Sequence, residues 1–372
     1  MNATRILRRP RVLIVGCGDV GLRCARRLLA RSPHVRVIAL TSRPERAAVL
    51  RAAGVMPIVG DLDVPHSLRL LAGIAPTVLH LAPPPASGED DPRTRALIAA
   101  LTAPRRMRAA HAVRATTGRL RTRSHGQFKP AAGTRETRIV TDAFAPARVP
   151  RLPVRLVYAS TTGVYGDCGG ALIDETQPVR PVNARAKRRV AAERRLRAAT
   201  ARGALTAHIV RIPGIYAEDR LPLARIERGM PALIDAHDVY TNHIHADDLA
   251  AIMLRAATHG RPARVVHASD DTVMKMGAYF DRVADAFGLA RVPRITLEAA
   301  EQQLEPVTLS FMRESRRLAN TRLKRELRVA LRYPDVDDFL RTVGVEDVNS
   351  VKSAPATPRA AKSTAGRRSA RR

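Results

Sequence analysis

The 372-residue chain has no tryptophan, only six tyrosines and six phenylalanines, so aromatics make up 3% of it. Little is therefore available for stacking nucleobases, and no DNA- or RNA-reading module is recognisable. Its three cysteines, Cys17, Cys24 and Cys168, are too few for a disulfide framework and fit no zinc spacing. No apolar run approaches the ~18 residues that a membrane-spanning helix needs. The N-terminal apolar run RVLIV stops at Gly16, too soon for a signal-peptide core. These absences set the expectation of a reduced, cytoplasmic protein with no membrane partner and no resident metal.

Acidic residues are also scarce: 34 Asp and Glu stand against 64 Lys and Arg, a net charge of +30. The excess is localised. Residues 1–11 carry four arginines and no acid, residues 104–151 a net +10, and residues 348–372 seven basic residues and no acid. These segments lack hydrophobic periodicity and are rich in Ala, Arg, Ser, Thr or Pro, a composition that does not build a core. Charge of this sign attracts phosphate, but specific nucleic-acid binding is disfavoured by the missing aromatics and modules.

What is present is a rhythm. RVLIV (11–15), VRVIAL (35–40), VMPIVGDLD (55–63), TVLHLAPPP (77–85), VRLVYAS (154–160), AHIVRI (207–212) and RVVHAS (264–269) read as buried strands. Helical patterns at 22–31, 44–54, near 183–200 and at 277–289 alternate with them. This alternation predicts an α/β fold, a Rossmann-type doubly wound parallel sheet with a smaller C-terminal substrate-binding part. The expected organisation is a basic arm at 1–10 and a dinucleotide-binding domain at 11–212, broken by a basic insertion at about 103–151. A C-terminal portion at 213–345, interleaved with the sheet, and a basic tail at 346–372 complete it.

The turn after the first strand is Gly16-x-Gly18-x-x-Gly21, and it opens an amphipathic helix. In that context Gly16 permits a tight turn, Gly18 admits a pyrophosphate and Gly21 allows close helix packing. Asp19 and Val20 belong to the same candidate cofactor loop. A site that reads the ribose hydroxyl of NAD carries Asp or Glu at the end of the second strand. This chain has Thr41-Ser42-Arg43 instead, which favours the 2′-phosphate of NADP, with NAD as the alternative. Asp61 and Leu62 follow the third strand toward the adenine end, and Leu81, Ala82 and Pro83 follow the fourth.

With these residues placed, the chain resembles the NAD(P)-dependent epimerase/dehydratase family, the extended short-chain dehydrogenase/reductases. VYASTTGVYGD (157–167), DETQPVRP (174–181), RIPGIYAEDR (211–220), HIHADDLA (243–250) and VVHASDD (265–271) carry the resemblance in this order. It implies that Pro213 and Ile215 also line the cofactor. It further implies a Tyr-x-x-x-Lys pair on the helix after the fifth strand, placed four residues after Pro181 and eight before Glu193. Arg185 and Arg189 stand in those positions. Arginine stays protonated and cannot relay a proton, and Lys187 lies about 200° away around the helix.

The catalytic candidates are thus Thr161, in the Ser/Thr position, with Arg185 and Arg189, and with Tyr165 as a phenol that could also simply pack. The His243-x-His245 pair lacks a third ligand and reads as structural. Asp247 and Asp248 are expected to cap the next helix. Cys17 sits near a helix start, where a thiol pKa can fall, though a small filler fits as well. Arg220 is in a position to meet an anionic substrate or to sit on the surface. Three functions stay open: an atypical NADP-dependent oxidoreductase or epimerase/dehydratase acting on a small molecule, a non-catalytic NADP sensor, and a nucleic-acid-associated protein. A homodimer is compatible with each.

Overall fold

Seven short, β-branched runs build the centre of the molecule: β1 (Arg11–Val15), β2 (Arg36–Thr41), β3 (Met56–Val59), β4 (Thr77–His80), β5 (Val154–Thr161), β6 (Leu205–Ile212) and β7 (Val265–His267). In this computed structural model, which describes residues 10–104 and 153–343, all seven pair in parallel in the order β7-β6-β5-β4-β1-β2-β3. The expected arm, insertion and tail lie outside the described residues, apart from Pro10, Ala103 and Pro104.

Both faces of the sheet are covered, as an all-parallel sheet requires. Helices α1 (Asp19–Arg31) and α5 (Ala246–His259) bury Cys24, Ala25, Leu249, Ile252 and Met253 against one face. Helices α3 (Pro92–Thr102) and α4 (Ala184–Ala201) bury Leu97, Leu101, Ala192 and Leu196 against the other. The short α2 (Ala47–Ala52) contributes Leu50. A separate cluster around Tyr216, Phe280, Val283 and Phe339 forms the core of the smaller part, which includes α6 (Met276–Ala286). Among the described residues no helix is long and apolar enough to cross a membrane.

Two local readings need correction. The helix expected over 44–54 divides into a 3₁₀ turn at Pro44–Arg46 and the short α2, and Gly54 at φ +74° turns the chain away. Proline fixes the first turn but leaves too few residues for a long helix. The cap of α5 is not an aspartate. The His245 ring accepts from the Asp247 amide at 3.2 Å, while Asp248 accepts from the Arg332 and Tyr333 amides and ties a distant loop to the helix.

The ends of β5, β6 and β7 are joined by a buried polar chain. Glu193 of α4 accepts from the Ser160 hydroxyl at 2.6 Å and from both Nη2 (2.7 Å) and Nε (3.1 Å) of Arg211. Arg211 Nη1 donates to the Tyr165 hydroxyl at 2.7 Å. His267 donates from Nδ1 to the Ala319 carbonyl, so its Nε2 accepts the Tyr165 proton, at 2.5 Å. Tyr165 is 0% exposed and its oxygen is fully used, which removes it from the catalytic candidates and leaves it a structural role.

Glu193 and Arg211 are each under 5% exposed, and removing one partner of such a pair leaves the other charge buried without compensation. Glu193→Ala should therefore cost roughly 3–5 kcal/mol of stability, read as a lowered urea midpoint, with Glu193→Gln costing less. Burial also holds three histidines neutral, His80 and His243 down to about 3 and His267 down to about 4. The unfolded chain binds these protons near pH 6.5, so stability is full above that pH and falls as pH drops toward the folded values. Below pH 6.5 His243→Phe should flatten the dependence of unfolding free energy on pH by about 1.4 kcal/mol per unit.

Candidate functional site

The order of the sheet reverses between β1 and β4, and a crevice opens there at the C-terminal ends of the strands, where open α/β sheets bind ligands. The glycine turn forms its floor. Gly16 adopts φ +86°, and a Cβ there would stand 2.4 Å from the backbone nitrogen of Ala82, so no other residue fits. A Cβ on Gly18 would meet nothing within 4 Å, so its absence opens space above the turn. Gly21 lies 3.3 Å from Ile14 and the Gly16 carbonyl by the same measure, which lets α1 pack on β1. No side chain caps the α1 N-terminus, and its N-cap residue Gly18 lines the crevice.

A cleft of about 480 Å3 follows. It brings together Gly16, Gly18, Thr41, Ser42, Arg43, Asp61, Leu62, Leu81, Ala82 and Pro83, all from the expected set. The Thr41 hydroxyl accepts from the Arg43 amide at 3.2 Å and sets the start of the arginine's turn. Two charged lining residues were not foreseen. Arg46 stands three residues beyond Arg43 on the 3₁₀ turn, a spacing that the sequence contained. Arg93, from the first turn of α3, forks onto Asp63 and donates to the Pro83 carbonyl at 3.1 Å, clasping the mouth of the cleft.

Asp19, Val20 and Ile215 of the expected set do not line this cleft, whereas Cys17 does. Asp19 pairs with Arg23 at 2.9 Å and with Arg220 at 3.1 Å, which removes Arg220 from the group free to meet a substrate. Val20 and Ile215 pack against the core. Cys17 is 5% exposed, and burial pushes its thiol up to about 11, so burial outweighs the helix start and the residue acts as filler. The His243 ring stacks 4.1 Å from Tyr279, and no group of three His, Cys, Asp or Glu able to hold a metal occurs among the described residues.

A second cleft, about 350 Å3, lies beyond the ends of β5 and β6. It joins Thr161, Arg185 and Pro213 of the expected set. Arg185 sits in the first turn of α4, which Asn183 caps by accepting from the Ala186 amide at 2.9 Å. Its guanidinium lies 4.6 Å over the Phe311 ring. Arg189, one turn on, is directed to β5, donating to the Ala159 carbonyl at 2.6 Å and the Tyr158 hydroxyl at 3.2 Å. Lys187 turns away to Glu89 at 2.6 Å, and Arg188 and Arg195 hold the same loop through Gly88 and Asp90.

The rest of this wall comes from the smaller part: Tyr240, Asn242, Glu314 and Arg316, the last two paired at 3.0 Å. None was foreseen, because they belong to two-residue strands and turns without a period. Of the six tyrosines, Tyr240 is the one that lines this cleft. Cationic side chains at the start of a helix gain nothing from its dipole, so the local stabilisation of Arg185 comes from its contact with the Phe311 ring.

Comparison with known proteins follows this geometry. A protein of undetermined function from Silicibacter pomeroyi is 25% identical, with a TM-score of 0.64 over 92% of this chain and 99% of its own. MoeE5, solved with UDP-glucose and NAD, is 20% identical, with a TM-score of 0.62 over 92% and 100%. DesIV from Streptomyces venezuelae, a dTDP-glucose 4,6-dehydratase solved with NAD and TYD, is 18% identical, with a TM-score of 0.64 over 93% and 99%. Among curated proteins no sequence match was found. The family model for the NAD dependent epimerase/dehydratase family matches residues 12–268, and with the glycine turn, the seven-stranded sheet and the crevice at its reversal the chain belongs to that family.

Proposed function

We propose that the chain binds a nicotinamide dinucleotide across the first cleft, with preference for NADP. It would act in the second cleft on a small carbonyl, hydroxyl or sugar-nucleotide-like substrate without the usual tyrosine acid/base. The observation that carries this reading is the pair of adjoining clefts along one edge of the sheet, one built on a glycine turn and the other on Thr161 and Arg185. The bound dinucleotide would supply hydride transfer. The space left by Gly18 and the uncapped amides of α1 suit its pyrophosphate. Arg43 and Arg46, with the Thr41 and Ser42 hydroxyls and no acid at the end of β2, suit a 2′-phosphate, although MoeE5 and DesIV were solved with NAD.

In the second cleft Thr161 can donate or accept one hydrogen bond at a substrate oxygen. Arg185 can hold an anionic group with a planar fork, aided by the positive end of α4. Helix α4 contains no tyrosine, so proton transfer would fall to Thr161, to water or to the substrate itself. The same substitution supports a second reading, a non-catalytic NADP sensor. An assay of NADPH consumption over a panel of carbonyl compounds and sugar nucleotides separates them. Turnover supports the enzyme, while tight cofactor binding without turnover supports the sensor.

Hydrogen bonds to charged groups contribute about 1.5–3 kcal/mol each. Arg43→Ala/Arg46→Ala should therefore weaken NADPH binding at least tenfold and leave NADH within about threefold, measured by quenching of reduced-nicotinamide fluorescence. Arg185→Ala should lower kcat/KM about a hundredfold on whichever panel substrate turns over, with NADPH affinity unchanged. An unchanged kcat/KM would remove Arg185 from the site.

A further inference from the structure

A cavity of about 760 Å3 belongs to neither cleft. It lies at the opposite, N-terminal edge of the sheet, between the starts of β1 and β4 and the last turns of α1 and α5. Its volume falls within the range of small-molecule sites. Leu28, Val35, Leu254 and Val329 supply an apolar floor. Five arginines line it, and no aspartate or glutamate does.

Two helices end at this cavity, and each C-terminus carries about half a negative charge. Arginines there could serve only as partners of those dipoles. The amounts do not match, since about one negative charge in total faces the guanidiniums of Arg27, Arg31, Arg255 and Arg328. Arg255 is used locally, donating from Nε to the Leu327 carbonyl at 2.7 Å. Among the described residues Arg31 and Arg328 make no hydrogen bond or ion pair, and Arg27 is drawn only electrostatically toward Asp247. An apolar hollow beside unpaired cations is complementary to a ligand with an apolar body and an anionic end. Because the apolar surface is recessed rather than protruding, it suits a single chain that enters a cavity better than a bilayer surface.

We propose that this cavity binds a single-chain amphipathic anion of the fatty-carboxylate class, its chain against Leu28, Val35, Leu254 and Val329 and its headgroup at the arginine rim. The site is separate from the dinucleotide cleft, so the two ligands bind together.

The test titrates the full chain, saturated with NADPH, with dodecanoate by isothermal calorimetry. One saturable site is expected, with dodecanol binding at least tenfold more weakly. Arg27→Ala/Arg31→Ala should raise the dodecanoate Kd at least tenfold, whereas Arg26→Ala/Arg202→Ala, with the same loss of charge, should leave it within twofold. Leu254→Trp should fill the floor and abolish dodecanoate binding, with NADPH affinity intact as the check on folding. Absence of saturable binding, competition by NADPH, or equal loss in the two arginine pairs would each overturn the proposal. So would binding to phosphatidylserine vesicles in a sedimentation assay that is lost in Arg27→Ala/Arg31→Ala while the dodecanoate Kd is unmoved, which would assign the rim to a membrane.

Discussion

The buried pair of Glu193 and Arg211 is the constraint on which the second half of the molecule depends. A carboxylate and a guanidinium withdrawn from water lose hydration worth several kcal/mol each, and this pair offsets that loss only because every remaining atom is used. Ser160 fills one carboxylate lone pair, and Tyr165 takes the outer guanidinium nitrogen. Through those contacts the ends of β5, β6 and β7 and the middle of α4 hold one geometry. Thr161 is the residue after Ser160, and Arg185 lies two turns before Glu193 on the same helix. The second cleft thus inherits its shape from a polar chain that does not itself face it.

The first cleft is fixed by different means. Its walls are backbone: the glycine turn and the Leu81–Pro83 segment approach so closely that a single added carbon at Gly16 would collide. Here chain geometry sets the site, whereas in the second cleft charge and hydrogen bonding do. The two ends of the crevice are thus held by different kinds of interaction. Gly16 tolerates no replacement, while Arg185 at the start of α4 is held by a contact with the Phe311 ring rather than by backbone.

The same division decides what was legible in the sequence. Strands β1, β4 and β5 follow from β-branched runs, since period and burial are local properties. Gly16, Gly18 and Gly21 follow from spacing, and Arg43 from its distance to the turn. Arg46 was not legible because its return to the side of Arg43 depends on a 3₁₀ turn, which the sequence pattern reads as part of a longer helix. Arg93, Asn242, Tyr240 and Arg316 come from points remote in sequence and carry no period of their own. For Cys17 proximity to a helix start argued for a reactive thiol and small size for a filler, and burial, which sequence spacing does not report, agrees with the filler. The role of Tyr165 depended on His267, about a hundred residues away.

The crossover between β4 and β5 has a consequence of its own. Helix α3 carries the chain from the crevice edge back to the edge where strands begin, and it ends at Thr102 before β5 starts at Val154. Both junctions of the intervening polypeptide therefore open on the side of the sheet away from the clefts. The return that a parallel pairing of β4 with β5 demands is thus made by α3 itself, within the described residues.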